Sequence, residues 1–176
     1  MNRVLSIITG IIAVIPGLAT LRNGLWAPEK YKFLFGGFIE FFCALSLLIL
    51  WTRRSKIKQI LPATKLKLTL LFVFIFLLST STYIFLINKT DINHSSRGSV
   101  FFPISLTGDL KSIVDKSGSR LAAIENYGID EINEQLDKQP DINFTITILT
   151  LLAVYTILFV CLTLTFGINS IEYDSS

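Results

Sequence analysis

The sequence predicts an all-α membrane protein, with four transmembrane helices and a small, mostly helical insert between the third and the fourth. The chain has 176 residues, of which 51% are hydrophobic and only 16% are charged, and its mean hydropathy is +0.59. Soluble domains carry about 25% charged residues. The hydrophobic residues are also concentrated in four runs, each close to the roughly 20 residues that a helix needs to cross a bilayer. These runs cover residues 4–21, 33–51, 68–87 and 144–168.

The charge of the connections predicts the orientation in the membrane. The second connection, residues 52–67, contains six Lys and Arg and no acid, whereas the third, residues 88–143, contains six bases and nine acids. Because short basic loops stay in the cytoplasm, we expect a multi-pass protein of the cytoplasmic (inner) membrane with both termini inside. The third connection, called here the outer insert, is then extracytoplasmic. The basic connection either only sets this topology or also binds anionic lipid headgroups.

Net charge and tryptophan positions indicate the partners. A net charge of +3 does not point to nucleic-acid binding, so the expected partners are the lipid bilayer and other membrane proteins. Trp26 and Trp51 lie near the ends of apolar runs, where amphipathic rings anchor helices at the bilayer surface. The first run follows Arg3, as in a signal peptide, but it is longer than the usual apolar region of such a peptide. We expect a retained helix, with cleavage as the alternative.

Glu40 is the charged residue inside the apolar runs and the first candidate for a functional role. Helical spacing places Gly36, Glu40, Cys43, Ala44 and Leu47 on one face of the second run. A charged side chain in a membrane helix costs about 3 kcal/mol, so Glu40 is expected to point into the helix bundle and to be protonated. It then serves as a proton relay, a cation site or a ligand contact. Alternatively it only holds the bundle, by donating a hydrogen bond to another helix.

Hydroxyl residues in the third and fourth runs form a candidate polar path. Four of them are consecutive, from Ser79 to Thr82, and Thr recurs along the fourth run. Hydroxyls of this kind either line a polar path through the bundle or bond back to a carbonyl one turn earlier in their own helix, which is the expected arrangement. The residues predicted for the path are Ser79, Ser81, Thr82, Thr147 and Thr150.

The outer insert is predicted to contain three short helices. Residues 88–99 are polar and expected to be irregular, and residues 100–106 are typical of a short extended segment that Pro103 confines to an edge position. Helices this short are not stable alone in water, so they must pack on one another, on the membrane surface or on a partner. Amphipathic patterns with Gly or Pro stop signals predict the helices over residues 109–116, 119–127 and 130–138.

No residue pattern in the chain indicates catalysis or metal binding. His94 is the single histidine, and both cysteines, Cys43 and Cys161, lie inside apolar runs, where a small packing residue is the expected role. A disulfide between helices two and four requires that the two thiols meet. We therefore expect a non-enzymatic chain without a metal or cofactor.

Residues 36–58, GGFIEFFCALSLLILWTRRSKIK, resemble a segment of the DoxX-like four-helix membrane proteins. Those proteins carry a Gly, then a Glu, then small and Leu-rich positions that end in basic residues. The resemblance covers about an eighth of the chain. It implies a small four-helix membrane protein with a redox or accessory function, in which Glu40 matches the acidic position.

Three functions follow as hypotheses. The first is a non-enzymatic subunit that forms a homo-oligomer or joins a membrane-protein partner, as a pore, a channel-like effector or an accessory subunit. The second is a DoxX-like redox membrane protein that uses a quinone or another bound cofactor. The third is a small immunity or regulatory membrane protein that binds its partner through the outer insert.

Overall fold

A computed structural model describes residues 31–60, 62–94 and 98–171 of the chain. Within them the fold is mostly helical, with one two-stranded antiparallel sheet. The predicted first helix, residues 4–21, and Trp26 lie outside the described residues. The elements in chain order are α1 (Lys32–Thr52), α2 (Arg54–Lys58), α3 (Pro62–Thr90), β1 (Asp91–His94), β2 (Gly98–Phe101), α4 (Gly108–Ser117), α5 (Arg120–Tyr127), α6 (Ile129–Asp137) and α7 (Asp141–Ser170).

Three helices among the described residues are long and apolar enough to cross a membrane. They cover Phe33–Thr52, Pro62–Thr90 and Asp141–Ser170, with 20, 29 and 30 residues. At 1.5 Å per residue, even the shortest spans the roughly 30 Å of a hydrocarbon core. The second, third and fourth apolar runs are therefore confirmed as long apolar helices.

Helix α3 begins six residues earlier than the apolar pattern indicates. The connection predicted over residues 52–67 is in fact interrupted by α2, and its last part already belongs to α3, which starts at Pro62. Proline is well accommodated in a first helical turn, because the N–H that it lacks has no partner there. Ala63, Lys65 and Leu66 are strong helix formers that continue the helix. Hydrophobicity alone could not reveal this start.

The chain forms two compact units, which we describe separately. The helical unit comprises Met1–Thr82 and Leu152–Ser176, and the insert unit comprises Tyr83–Leu151. Helices α3 and α7 contribute residues to both units.

The described helices of the helical unit alternate in direction. The ring of Phe35 in α1 packs on that of Tyr155 in α7, with centroids 5.7 Å apart, and the Cys43 thiol lies beside Thr163. From the first contact to the second, the residue numbers increase in both helices, so α1 and α7 are parallel. Helix α3 runs the opposite way, because Lys65 donates to the Ile171 carbonyl while Asn169 Nδ2 donates to Thr69 Oγ1 at 3.0 Å. The two cysteines, both buried, are free thiols.

The insert unit is built around its own apolar core. Helices α4, α5 and α6 contact one another, and α5 also contacts β1. The three helices predicted for this segment are confirmed, and they pack on one another, one of the three arrangements left open above. The buried core residues are Val100, Phe102, Leu110, Ala123, Ile124, Ile132 and Leu136.

A β-hairpin replaces the irregular segment predicted over residues 88–99. Helix α3 continues to Thr90, and β1 then pairs with β2 in antiparallel register, with Asp91 opposite Phe101 and Ile92 opposite Val100. Val100 is 4% exposed and belongs to the core. The hairpin is therefore held by this core, because a two-stranded sheet is only marginally stable alone in water.

Two glycines at helix ends should differ in their tolerance of a side chain. Gly118 ends α4 at φ +79° and ψ −18°, whereas Gly128 joins α5 to α6 at φ +83° and ψ 158°, a conformation that is almost confined to glycine. An added Cβ meets no atom within 4 Å at either position, so only the backbone conformation matters. We expect Gly118→Ala to destabilise the insert unit by about 1 kcal/mol and Gly128→Ala by about 3 kcal/mol. Hydrogen exchange of the insert-unit amides measures both, and equal losses would contradict the prediction.

Candidate functional site

Glu40 lies on the side of α1 that the described residues leave open. The buried stripe of α1 contains Phe35, Gly36, Ile39 and Cys43, whereas Glu40 itself is exposed. Glu40 therefore does not face α3 or α7, whereas Gly36 and Cys43 lie on the buried side of α1. Because the predicted first helix lies outside the described residues, the expectation that Glu40 points into the bundle stays a prediction.

The exposed side of α1 forms a stripe of small residues around the carboxyl. Gly37, Glu40 and Ala44 follow the three-and-four spacing of one helix face and are all exposed. A Cβ built on Gly37 meets no atom within 4 Å, so the backbone there is open to close approach. Within the described residues Glu40 has no hydrogen-bond or ion-pair partner. We call these three residues the Glu40 stripe.

Hydroxyls in the helical unit bond back to their own helix. Thr80, Ser81 and Thr82 donate to the carbonyls of Phe76, Leu77 and Leu78 at 2.8, 3.0 and 2.9 Å. This confirms the back-bonding arrangement expected for these residues. Ser79 is buried, whereas Ser81 and Thr82 are exposed, so the consecutive hydroxyls do not share one face.

Thr147 and Thr150, the other predicted path residues, belong to the insert unit. Thr147 is fully buried, and its hydroxyl donates to the Asn143 carbonyl at 2.7 Å and accepts the Ile104 N–H at 2.8 Å. The Thr150 hydroxyl donates to the Ile146 carbonyl at 2.7 Å. Thr147 thus fastens the loop after β2 to α7, which is a structural role that spacing could not reveal.

Arg120 is the buried charged residue that sequence reasoning missed. It opens α5 after the N-cap Ser119, whose hydroxyl accepts the Ala122 N–H at 3.0 Å. Its side chain is 8% exposed, and the guanidinium lies over the Phe102 ring, 5.3 Å from the centroid. The guanidinium donates to the carbonyls of Pro103 and Ile104 at 2.8 and 3.0 Å, and also to that of Lys89.

Backbone carbonyl dipoles, rather than a carboxylate, stabilise the Arg120 charge in the described residues. Burial lowers the pKa of the guanidinium to about 10, so the group stays charged at neutral pH. The three carbonyls belong to the end of α3 and to the loop after β2. Arg120 therefore ties α5 to two other segments of the insert unit. Sequence carries no signal for such a site, because every residue has a carbonyl.

Gln139 closes the insert unit in a similar way. Its side chain is 8% exposed, and its Oε1 accepts the N–H and hydroxyl of Thr107 at 2.9 and 3.0 Å. Its Nε2 donates to the Thr107 carbonyl at 2.8 Å. The side-chain amide of Gln139 thus bonds to both the N–H and the carbonyl of Thr107, as the backbone of a neighbouring strand would. These bonds fix the chain after α6 to the start of α4.

Trp51 lies at the end of α1 among basic residues. Its side chain is 72% exposed, and the Arg54 guanidinium lies 5.7 Å from its ring centroid. Arg53 and Lys56 are also exposed. This arrangement suits the interface anchor expected at Trp51.

Among the described residues, no group of three His, Cys, Asp or Glu side chains could hold a metal ion. No protein-family model matches the chain, and no curated protein or solved structure matches it either. The likeness of residues 36–58 to the DoxX-like proteins therefore stays a prediction.

Proposed function

We propose that the chain is a non-enzymatic, multi-pass protein of the cytoplasmic membrane that assembles, through α1, into a homo-oligomer or with another membrane protein. Its role is that of a pore-type or accessory subunit, with the insert unit outside. The observation that carries the proposal is the exposed carboxyl of Glu40, midway along an apolar helix and without a partner among the described residues.

Lipid alone is a poor environment for this carboxyl. A charged side chain inside a membrane helix costs about 3 kcal/mol, and a neutral carboxyl still seeks a hydrogen bond. A second helix that packs on the Glu40 stripe satisfies the carboxyl and excludes lipid from it. Gly37 and Ala44 support this, because small residues let two helix backbones approach closely.

The remaining exposed surface is suited to lipid. Phe33, Phe41 and Leu48 of α1 are 76%, 62% and 61% exposed, and only 6% of the most apolar window of α3 is buried. Water would make such surfaces aggregate, whereas acyl chains match them. The six bases of residues 52–67 favour the orientation with both termini in the cytoplasm.

Replacement of Glu40 by an apolar residue should weaken assembly. An interhelical hydrogen bond in lipid contributes about 1–2 kcal/mol, so Glu40→Leu should raise the dissociation constant of the complex roughly tenfold, while Glu40→Gln retains a hydrogen-bonding amide and changes it little. Energy transfer between labelled copies, measured as lipid is added to dilute them, gives the constant for a homo-oligomer. Affinity capture followed by mass spectrometry addresses a different partner. Glu125→Leu, at an exposed position of α5, is the matched control.

Ion leakage separates the two forms of the proposal. A pore lined by Glu40 should leak protons or cations from liposomes at a rate that Glu40→Gln alters, whereas unchanged flux with intact assembly leaves an accessory subunit. If Glu40→Leu assembles as well as the wild type, the proposal is contradicted.

In that case the third hypothesis, partner binding through the insert unit, becomes the leading one, because this unit has a core of its own. A co-purifying quinone would instead favour the redox hypothesis.

A further inference from the structure

A cluster of exposed basic side chains with an aromatic ring lies where α1 ends and α2 begins. It comprises Trp51 at the end of α1, Arg53 between the two helices, and Arg54 and Lys56 of α2, all of them exposed; we call it the basic end of α1. No acidic residue occurs between positions 52 and 67, so the chain supplies no counter-charge within this connection. Helix α2, which contains Arg54 and Lys56, has no buried residue. These cations are therefore exposed and are not buried in the packing of the described residues.

The Arg54 guanidinium lies over the Trp51 ring. The guanidinium carbon lies 5.7 Å from the ring centroid, within range of a cation–π contact. The Arg54 side chain makes no hydrogen bond among the described residues, so its planar guanidinium can donate two parallel hydrogen bonds to a phosphate. The Thr52 hydroxyl, which lies between the two residues in sequence, donates to the Leu48 carbonyl at 2.8 Å and does not compete.

The position of the cluster at the end of a membrane-spanning helix indicates that the phosphate belongs to a lipid. Trp51 closes an apolar helix of 20 residues that is long enough to cross a bilayer, and tryptophan prefers the headgroup level of a membrane. A phosphate that meets Arg54 at this level belongs to a lipid. Topology alone requires only positive charge near the helix end, and it needs neither a fixed guanidinium nor a choice among lipids.

We propose that the basic end of α1 binds the headgroup of an anionic phospholipid, with Arg54, in cation–π contact with Trp51, as the phosphate-binding side chain. Arg53 and Lys56 add positive charge around the headgroup. The inference goes beyond the proposed function and is independent of it, because the Glu40 stripe lies elsewhere on α1 and is not part of this cluster.

Lipid titration of the purified full-length protein tests the proposal. Phosphatidylglycerol and phosphatidylcholine are added separately to the protein in detergent, and bound lipid is counted by native mass spectrometry. The wild type should retain phosphatidylglycerol preferentially. Each basic residue near a membrane contributes about fivefold to the attraction of anionic lipid, so the Arg54→Gln/Lys56→Gln double variant should bind it roughly 25-fold more weakly.

Matched variants separate a built site from bulk charge. The control, Lys111→Gln/Lys116→Gln, removes two exposed bases from α4 and should leave the lipid preference unchanged. Arg54→Lys preserves the charge but not the planar fork, and it should weaken phosphatidylglycerol binding several-fold. Circular dichroism verifies that each variant retains its helices, and a titration in detergent does not depend on how a variant inserts. Wild-type binding by the double variant, or by Arg54→Lys, would overturn the proposal, as would an equal loss in the control.

Discussion

Arg120→Ala should destabilise the insert unit by about 3–5 kcal/mol, because each hydrogen bond from a charged donor contributes about 1.5–3 kcal/mol. The substitution takes the donors from the carbonyls of Lys89, Pro103 and Ile104 at once. It also removes the guanidinium from the Phe102 ring. Because whole domains are stable by only about 5–15 kcal/mol, a loss of this size should open the unit under native conditions.

Hydrogen exchange of the insert-unit amides, in the full-length protein in detergent, measures this loss directly. Arg120→Lys retains the charge, but a single ammonium group cannot serve three carbonyls as the guanidinium does, so about half of the loss should remain. Lys111→Ala, an exposed base on α4, is the control and should change exchange very little. Protection at the wild-type level in Arg120→Ala would show that the three carbonyl contacts do not hold the unit together.

Phe102→Ala should destabilise the same unit by about 3–5 kcal/mol through a different mechanism. Phe102 is fully buried in the core of the insert unit, so truncation leaves a cavity among tightly packed neighbours. The control is Leu121→Ala, which shortens an apolar side chain that is 43% exposed and should cost far less.

A double-mutant cycle links the two predictions. Since Arg120 lies over the Phe102 ring, the combined loss should be smaller than the sum of the single losses, by roughly 1 kcal/mol or more. Strict additivity in hydrogen exchange would indicate that the stacked contact contributes nothing. In that case the carbonyl contacts alone explain the loss of stability in Arg120→Ala.

Sequence predicted the helices well where composition and stop signals agree. The short helices α4 to α6 lie within two residues of their predicted bounds, because Gly118 and Gly128 separate them and Pro140 follows the last. The hairpin was missed because its strands have four residues each and show no alternation of polar and apolar residues. Only the core of the insert unit, which buries Val100, reveals why this segment is extended.

The candidate site was less predictable than the fold. Glu40 is recognisable in the sequence as an acid in an apolar run, but which side of α1 is buried depends on Tyr155 and Thr163, more than 100 positions away. Arg120 looks like any surface base in the sequence. Its carbonyl partners surround the guanidinium only because the fold brings three separate segments together. Neither the charge pattern nor the spacing of residues in the sequence predicts this arrangement.

The chemical nature of the buried polar side chains of the insert unit has a consequence for acid tolerance. Among its described residues the buried polar side chains are Thr90, Arg120, Gln139 and Thr147, and Ser117 and Asn143 also have buried polar atoms. None of these six side chains contains a carboxylate or an imidazole, the groups that gain a proton in mild acid. Acid unfolds proteins mainly by protonating carboxylates that the native state needs ionised. The salt bridge found among its described residues, Glu134 to Lys138, is exposed and contributes little. We therefore expect the insert unit to retain its fold in mild acid.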